Sequence, residues 1–363
     1  MTRAKRRALG AILPLAGLAC LVSPRPSFAW GNVGHETIAL IAQDRLSRAA
    51  RAAIGAILGD GVGLDRIATC ADAVKRAPVN CPGVGYLPMD DSTKDWHYID
   101  IATTEDPDTV SLESDCAGQN CVVDQINSHL AVLAAPVDGD NPSGSFGRKK
   151  ALMFVVHLVG DEHMPLHCAV DNDDAGGNSK VVSFSLSGRD EAAFSVAQQA
   201  PAEADSQGTP GKHMETSGMN LHHLWDNIIE TDQAGHAINP RDLASRIEGL
   251  SANDACVGGD LVACAARESF RIAKDTIYRD YYQNDPDANN PKVPYRLGQA
   301  YQNEMQPIAY AQIELAGAHL ASLLEKALGG LPAATGGFLA PRLSAEKQDG
   351  ISTKARRAVL SAP

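Results

Sequence analysis

Residues 157–167 read HLVGDEHMPLH, and residues 220–226 read NLHHLWD. His157 and Asp161 are four apart, so on a helix their side chains meet on one face. His222 and Asp226 repeat that spacing further along the chain. Pro165 ends the first helix and lets His167 come from the following loop. Two His-x-x-x-Asp pairs on separate helices are a way to build a metal centre from rigid elements, and imidazole with carboxylate is a zinc-type donor set. Either pair alone also reads as a salt-bridged surface couple. Further candidate ligands are His97 in DWHYID, Asp72 in CADAVKR and His35 in WGNVGH. Taken singly, His97 also reads as a core histidine and Asp72 as a helix-surface acid. His163 and His223 flank the site, and His129, His213, His236 and His319 read as surface residues.

Positioning such residues calls for a mostly helical chain. Apolar residues recur at three- and four-residue spacing over 36–46, 47–58, 65–76, 122–133, 148–161, 221–230, 239–250, 263–282 and 299–328. Ser47 is the N-cap expected for the second of these. Strand patterns are few: 96–101, carrying His97, and 180–186. Gly, Pro and Asp place loops at 78–95, 135–147, 171–179 and 284–294. Residues 187–217 read as a surface insertion and 329–363 as a mobile tail, leaving one mainly α domain over 30–328 with a small β element.

The first 29 residues read as a cleaved export signal, with a retained membrane anchor as the competing reading. Arg3, Lys5, Arg6 and Arg7 precede a short apolar run, and Ser27-Phe28-Ala29 resembles a cleavage site. Cleavage after Ala29 makes Trp30 the new N-terminus, and the product is expected to be secreted or periplasmic, monomeric and without a membrane partner. The formal net charge is -12, and the signal removes basic residues only. So acidic a chain is unsuited to coating nucleic acid non-specifically, although bound cations reverse the sign locally. Among the eight cysteines, Cys70/Cys81, Cys116/Cys121 and Cys256/Cys264 are sequence-local couples, Cys20 lies in the signal, and Cys168 is left over. Disulfides are expected in an exported chain, with crossed pairings still open.

In order and context, WGNVGH, CADAVKR, WHYID, HLVGDEHMPLH, GGN and NLHHLWD resemble the zinc-dependent type I nucleases, the single-strand-specific nuclease/3′-nucleotidases of fungi, plants and bacteria. That family shares the fold of zinc phospholipase C. The resemblance runs from Trp30 to Leu328 and implies three zinc ions. Asp72, His97, His157 and Asp161 would hold one. His167, His222 and Asp226 would hold a second. Trp30, through its α-amine and carbonyl oxygen, and His35 would hold the third, with Asp161 bridging it to the first. A water shared by two zincs, acidified to about pKa 7, would then attack phosphorus and leave 5′-phosphate products. By the same resemblance, Asp72, Lys75 and Asp161 are the catalytic positions, with Lys75 near the phosphate. Tyr98 and Asp100 would stack on and hydrogen-bond an unpaired base, and Asn178 would contact substrate. The implied substrates are single-stranded RNA, single-stranded DNA and 3′-nucleotides.

Two departures stand out. Cys70 occupies a position where the family commonly has tryptophan, and the 187–217 stretch lengthens the span between His167 and His222. Strand packing and a turn acid would also account for Tyr98 and Asp100. A phospholipase C-type lipid phosphodiesterase could use the same cluster, and a zinc-binding export protein could use it without turnover. Asp226 and WHYID favour the nuclease, and mere zinc binding leaves Lys75, Asp100 and Asn178 without a purpose.

Overall fold

The structure is a computed structural model that describes residues 30–116, 118, 120–136, 142–185, 220–230, 237–250, 254–256, 259–284 and 295–329. The expected signal (1–29), the 187–217 insertion, the tail beyond 329, His213 and His236 lie outside the described residues.

Burial of one long helix organises the rest. Helix α6 (Pro142–Glu162) is apolar on every side from Ala151 onward, and every residue from Ala151 to Ala169 is buried. Around it pack α1 (Asn32–Arg45), α2 (Arg48–Leu58), α3 (Cys70–Val74) and α5 (Val122–Ala134), preceded by the short α4 (Leu112–Asp115). Ser47 caps α2 as expected, its hydroxyl accepting from Ala50 N at 3.2 Å. Beyond α6 come α7 (Leu221–Asn227), α8 (Pro240–Ile247), α9 (Leu261–Ile272), α10 (Arg279–Asn284) and α11 (Gln299–Leu328). Helix α11 closes the core against α1, α5 and α6. No helix among the described residues is long and apolar enough to cross a membrane. The fold is therefore mainly α.

Among the described residues the β content is two small two-stranded sheets. β1 (Val79–Cys81) and β2 (Gly85–Leu87) form an antiparallel hairpin. β3 (Val182–Ser185) pairs in parallel with β4 (Tyr295–Gly298), Val182 opposite Tyr295. The three sequence-local cysteine couples are disulfides, and Cys168 is free and buried.

Three expectations about elements need correction. The helix expected over 65–76 is interrupted: Leu64–Arg66 is a 3-10 turn and the α-helix begins at Cys70. Between them the Ala68 carbonyl accepts from His157 Nδ1 at 2.7 Å instead of bonding along a helix. The strand expected over 96–101 is not a strand. A 3-10 helix capped by Asp90 runs from Asp91 to His97. The extended residues after it bond to the chain around His167, with Ile99 N to His167 O at 2.8 Å. Finally, 261–284 is helical throughout but widens to a π-helix over Ala273–Tyr278.

Candidate metal centre

The ligand candidates converge. Ligand atoms of His35, His157 and Asp161, of Asp72, His97 and His157, and of His167, His222 and Asp226 form three buried groups, the atoms of each within 4.8 Å of one another. In the first region α6 supplies His157 and Asp161, α3 supplies Asp72 and α1 supplies His35. His97 ends its 3-10 helix, which is anchored by Trp96. That ring stands edge-on to Phe154 of α6 at 5.0 Å, and its Nε1 donates to Asn120 Oδ1 at 2.7 Å.

Asp161 faces both ways. Its Oδ1 lies 3.3 Å from His35 Nε2, while its Oδ2 lies 2.7 Å from His97 Nδ1 and 3.3 Å from His157 Nε2. The rings of His35 and His157 stack at 4.0 Å. Gly160 makes room for this, since a methyl there would lie 2.8 Å from His35 Nδ1. Buried side-chain atoms without a hydrogen-bond partner gather here, namely both ring nitrogens of His35, His97 Nε2, His157 Nε2 and Asp161 Oδ1. Buried polar atoms are normally satisfied, so such a gathering fits a cation-binding site.

Charge is distributed unevenly among these groups. Burial alone would lower the His157 pKa, but the Asp161 and Asp72 carboxylates outweigh it and raise it to about 10. Burial, then the Lys75 ammonium, lower His97 to about 4. Burial works to raise the Asp161 pKa, yet His157 and His97 hold it well below the usual carboxylate range; Lys75 and His157 do the same for Asp72. Lys75 Nζ pairs with Asp72 Oδ1 at 2.5 Å, so this cation stands at the edge of the cluster.

The second region is built differently. His167 Nδ1 bonds to the His97 carbonyl and His222 Nδ1 to the Gly176 carbonyl, both at 2.6 Å. A carbonyl only accepts, so each ring carries its hydrogen on Nδ1. The two Nε2 atoms then face each other across 3.0 Å as lone pairs, with Asp226 Oδ1 3.6 Å from His222 Nε2. A proton between them is disfavoured, because burial lowers both pKa values and the neighbouring His167 lowers that of His222 further. A cation is the occupant that satisfies both rings. Both regions fit zinc-type ions, which take imidazole and carboxylate donors, and the rings of His157, His167 and His222 each have the other nitrogen held by a backbone carbonyl.

A loop supports this second region. Asn172, Asp173, Ala175, Gly176 and Gly177 all have positive φ, of 52°, 58°, 53°, 63° and 85°. Asp171 accepts from Thr103 Oγ1 at 2.6 Å, from Lys180 Nζ at 3.0 Å and from the Tyr282 hydroxyl. Asp174 Oδ1 accepts from Asp171 N at 2.9 Å and from the Tyr278 hydroxyl at 3.1 Å. Tyr278 ends the π-helical segment and Tyr282 lies on α10.

The sequence profile of the S1/P1 nuclease family matches residues 30–193 and 208–329. The chain belongs to the S1/P1 nuclease family. The match skips 194–207, inside the stretch read from sequence as an insertion. The chain is 30% identical to Nuclease S1 of Aspergillus oryzae, over 62% of each protein. It is 26% identical to Endonuclease 2 of Arabidopsis thaliana, over 83% of this chain and 91% of that one. Nuclease P1 of Penicillium citrinum is 30% identical over 43% of this chain and 52% of its own length. The chain thus spans less than two thirds of Nuclease S1 and most of Endonuclease 2.

Within this S1/P1 family member, the remaining expected site residues fall as follows. Trp30 is fully buried, its ring 6.4 Å from that of Trp225, and Gly31 N donates to Asp226 O at 2.6 Å. Tyr98 is 37% exposed, and its hydroxyl donates to Asp95 Oδ1 at 3.0 Å. Asp100 is exposed at its backbone turn; burial of the carboxyl, then Asp174, Asp95 and Asp115, raise its pKa. Asn178 braces the loop: its Nδ2 donates to Ala175 O at 2.8 Å, and its Oδ1 accepts from Asn220 Nδ2 at 3.4 Å. Asn220 in turn caps α7 through His223 N.

Sequence reasoning missed several participants. Arg76, next to Lys75, is half-buried; burial lowers its pKa while the Asp72 and Asp226 carboxylates raise it. The clamp of Asp171, Asp174, Tyr278 and Tyr282 gave no motif. His319 is buried rather than on the surface, its Nδ1 2.8 Å from His163 Nε2 and its Nε2 3.0 Å from Asp254 Oδ2. His163 faces away from the metal-binding groups, toward α11. His129 is half-buried against Trp96 and Phe154.

Proposed function

We propose that the protein is an exported zinc phosphodiesterase that hydrolyses single-stranded RNA and DNA to 5′-phosphate products and removes the phosphate of 3′-nucleotides. The observation that carries this reading is Asp161, one carboxylate whose two oxygens serve two adjoining histidine groups. Asp72, His97, His157 and Asp161 would hold one zinc ion; His167, His222 and Asp226 a second; and Trp30 and His35, with Asp161, a third once cleavage after Ala29 frees the Trp30 amine. Zinc in these positions supplies Lewis acidity toward phosphate oxygen and water. The protein's own residues do the rest. Lys75, with its charge at the edge of the cluster, draws the phosphodiester in and opposes the negative charge that builds as water adds to phosphorus and the bond to O3′ breaks. The exposed ring of Tyr98 offers a face for an unpaired base, which a duplex would withhold, and the Asp100 carboxylate accepts from base N–H groups. Asn178, at the rim of the 171–179 loop, contacts the sugar-phosphate chain.

The test is a panel of denatured DNA, single-stranded RNA, a 3′-nucleotide and phosphatidylcholine vesicles, assayed with the mature chain beginning at Trp30. Release of acid-soluble 5′-nucleotides, abolished by a chelator and restored by zinc, is expected. Turnover of phosphatidylcholine with none of nucleic acid replaces this reading with the lipid one.

A further inference from the structure

Helix α1, which carries His35 and follows Trp30, starts without a cap of its own. Gly31 stands at the N-cap position, no side chain caps the turn, and the first turn holds no acid. The leading N–H groups of a helix need acceptors from somewhere. One comes from Glu230, 197 residues away, whose Oε1 accepts from Val33 N at 3.0 Å. The half-buried Glu230 is itself fixed, its N–H donating to Asn227 O and its carbonyl accepting from Ile238 N, both at 3.0 Å. The carboxylate is packed tightly enough that a methyl on Gly31 would overlap Oε1. The last turn of α7, just before Glu230 in the chain, contributes a second acceptor, the Asp226 carbonyl, which takes the Gly31 N–H. A serine or asparagine at position 31 would cap the helix without burying a charge. The acid used instead joins the start of α1 to the turn that follows α7, the helix that carries the ligand Asp226.

We propose that Glu230 is a positioning residue for the amino-terminal metal ligands: it caps α1 from outside and so holds Trp30 and His35 in register with Asp161. This rests on the ligand assignment proposed above. The measurement is zinc content and stepwise chelator competition on the mature protein, for the wild type and for Glu230→Ala, Glu230→Gln and Gly31→Ala. The wild type should hold three zinc ions. Glu230→Ala should bind one of them about tenfold to a hundredfold more weakly and leave the other two unchanged. Glu230→Gln keeps an oxygen acceptor for Val33 N and should retain all three. Gly31→Ala displaces the carboxylate without deleting it and should repeat the single loss, which covers the case in which Glu230→Ala does not fold. Three unchanged affinities in both Glu230→Ala and Gly31→Ala would overturn the proposal. So would equal weakening of all three, the mark of a merely structural role. A wild type that holds only two zinc ions would overturn the assignment of Trp30 and His35 itself, and the proposal with it.

Discussion

The groups around Asp161 draw their side chains largely from helices packed in the core, whereas the group around His222 leans on a loop. In the first region, His35, Asp72, His157 and Asp161 sit on α1, α3 and α6, whose backbone is fixed mainly by apolar burial, with Glu230 capping the start of α1. In the second, the His222 ring is oriented by the carbonyl of Gly176, in a stretch where five of six residues from 172 to 177 have positive φ. A left-handed backbone costs roughly 1–2 kcal/mol at a residue with a side chain, so Asn172, Asp173 and Ala175 must be held from outside. Asp171 and Asp174, clamped by Thr103, Lys180, Tyr278 and Tyr282, do the holding. The charge differs as well. Two carboxylates keep a proton on His157 in the first region, and the two imidazoles of the second are both neutral. All the side-chain ligands but His97 and His167 stand on α-helices, and those two stand on 3-10 helices. What differs is what lies behind the rings, since a ring oriented by a loop carbonyl needs a polar scaffold behind that loop.

Asp161 offers the sharpest way to break that comparison. On the proposed assignment, Asp161→Ala removes a ligand from two zinc ions at once, and Asp226→Ala from one. Activity on denatured DNA should fall about a thousandfold or more in Asp161→Ala, with the loss of two zinc ions. Asp226→Ala should lose one zinc and keep the other two. Equal metal losses in the two variants would mean that Asp161 does not bridge, and the two regions would then be equivalent.

A pair of glycines probes the difference in support. Gly160→Ala, on α6, meets the ring of His35, a side chain that has some freedom to turn. Gly176→Ala meets the Leu166 backbone carbonyl and forces a side chain onto φ 63°. Backbone yields less readily than a ring. Gly176→Ala should therefore weaken zinc in the His222 group by about tenfold to a hundredfold, read by chelator competition, and Gly160→Ala should cost less. The reverse order would show that the loop is the softer support.

How far the site was legible in sequence follows the same division. His157 with Asp161 and His222 with Asp226 were readable because a four-residue spacing on a helix fixes which side chains meet. Ser47 and the three local disulfides were readable for the same reason, their partners being near in sequence. The fold class followed from the apolar periodicity. The helix expected over 65–76 was broken by a bond no local pattern encodes, Ala68 O to a histidine 89 residues on. Glu230 capping α1 and Tyr282 reaching Asp171 are equally remote contacts. His319 was a different failure. Ala316, Leu320 and Leu323 mark its face of α11 as buried, and that periodic signal was present in the sequence.

The smallest expected effect is a pH dependence of the metal-free protein, in which His157 of the first region acts with the opposite sign to the other histidine ligands. His97 is held at about 4, and His35, His167 and His222 are also held below their ordinary 6.5. Below pH 6.5 the unfolded chain therefore binds more protons than the folded one, and stability rises with pH. The depressed Asp72 and Asp161 act in the same direction, their contribution being lost as pH falls from the ordinary carboxylate value of 3.8. Glu230, raised to about 7, opposes this rise between 4.5 and 7 without cancelling the several histidines. Above 6.5 the balance inverts. His157 keeps its proton up to about 10, so its contribution is complete below 6.5 and drains away as pH climbs toward 10. One proton corresponds to a slope of about 1.4 kcal/mol per pH unit. Urea unfolding in excess chelator at pH 5, 6.5 and 8 should place the stability maximum near 6.5. A curve that keeps rising to pH 8 would show that His157 carries no extra proton and that the two regions are charged alike. Repeating the series with zinc should remove the descending limb, because the ion takes the proton's place on His157 and binds more tightly as pH rises.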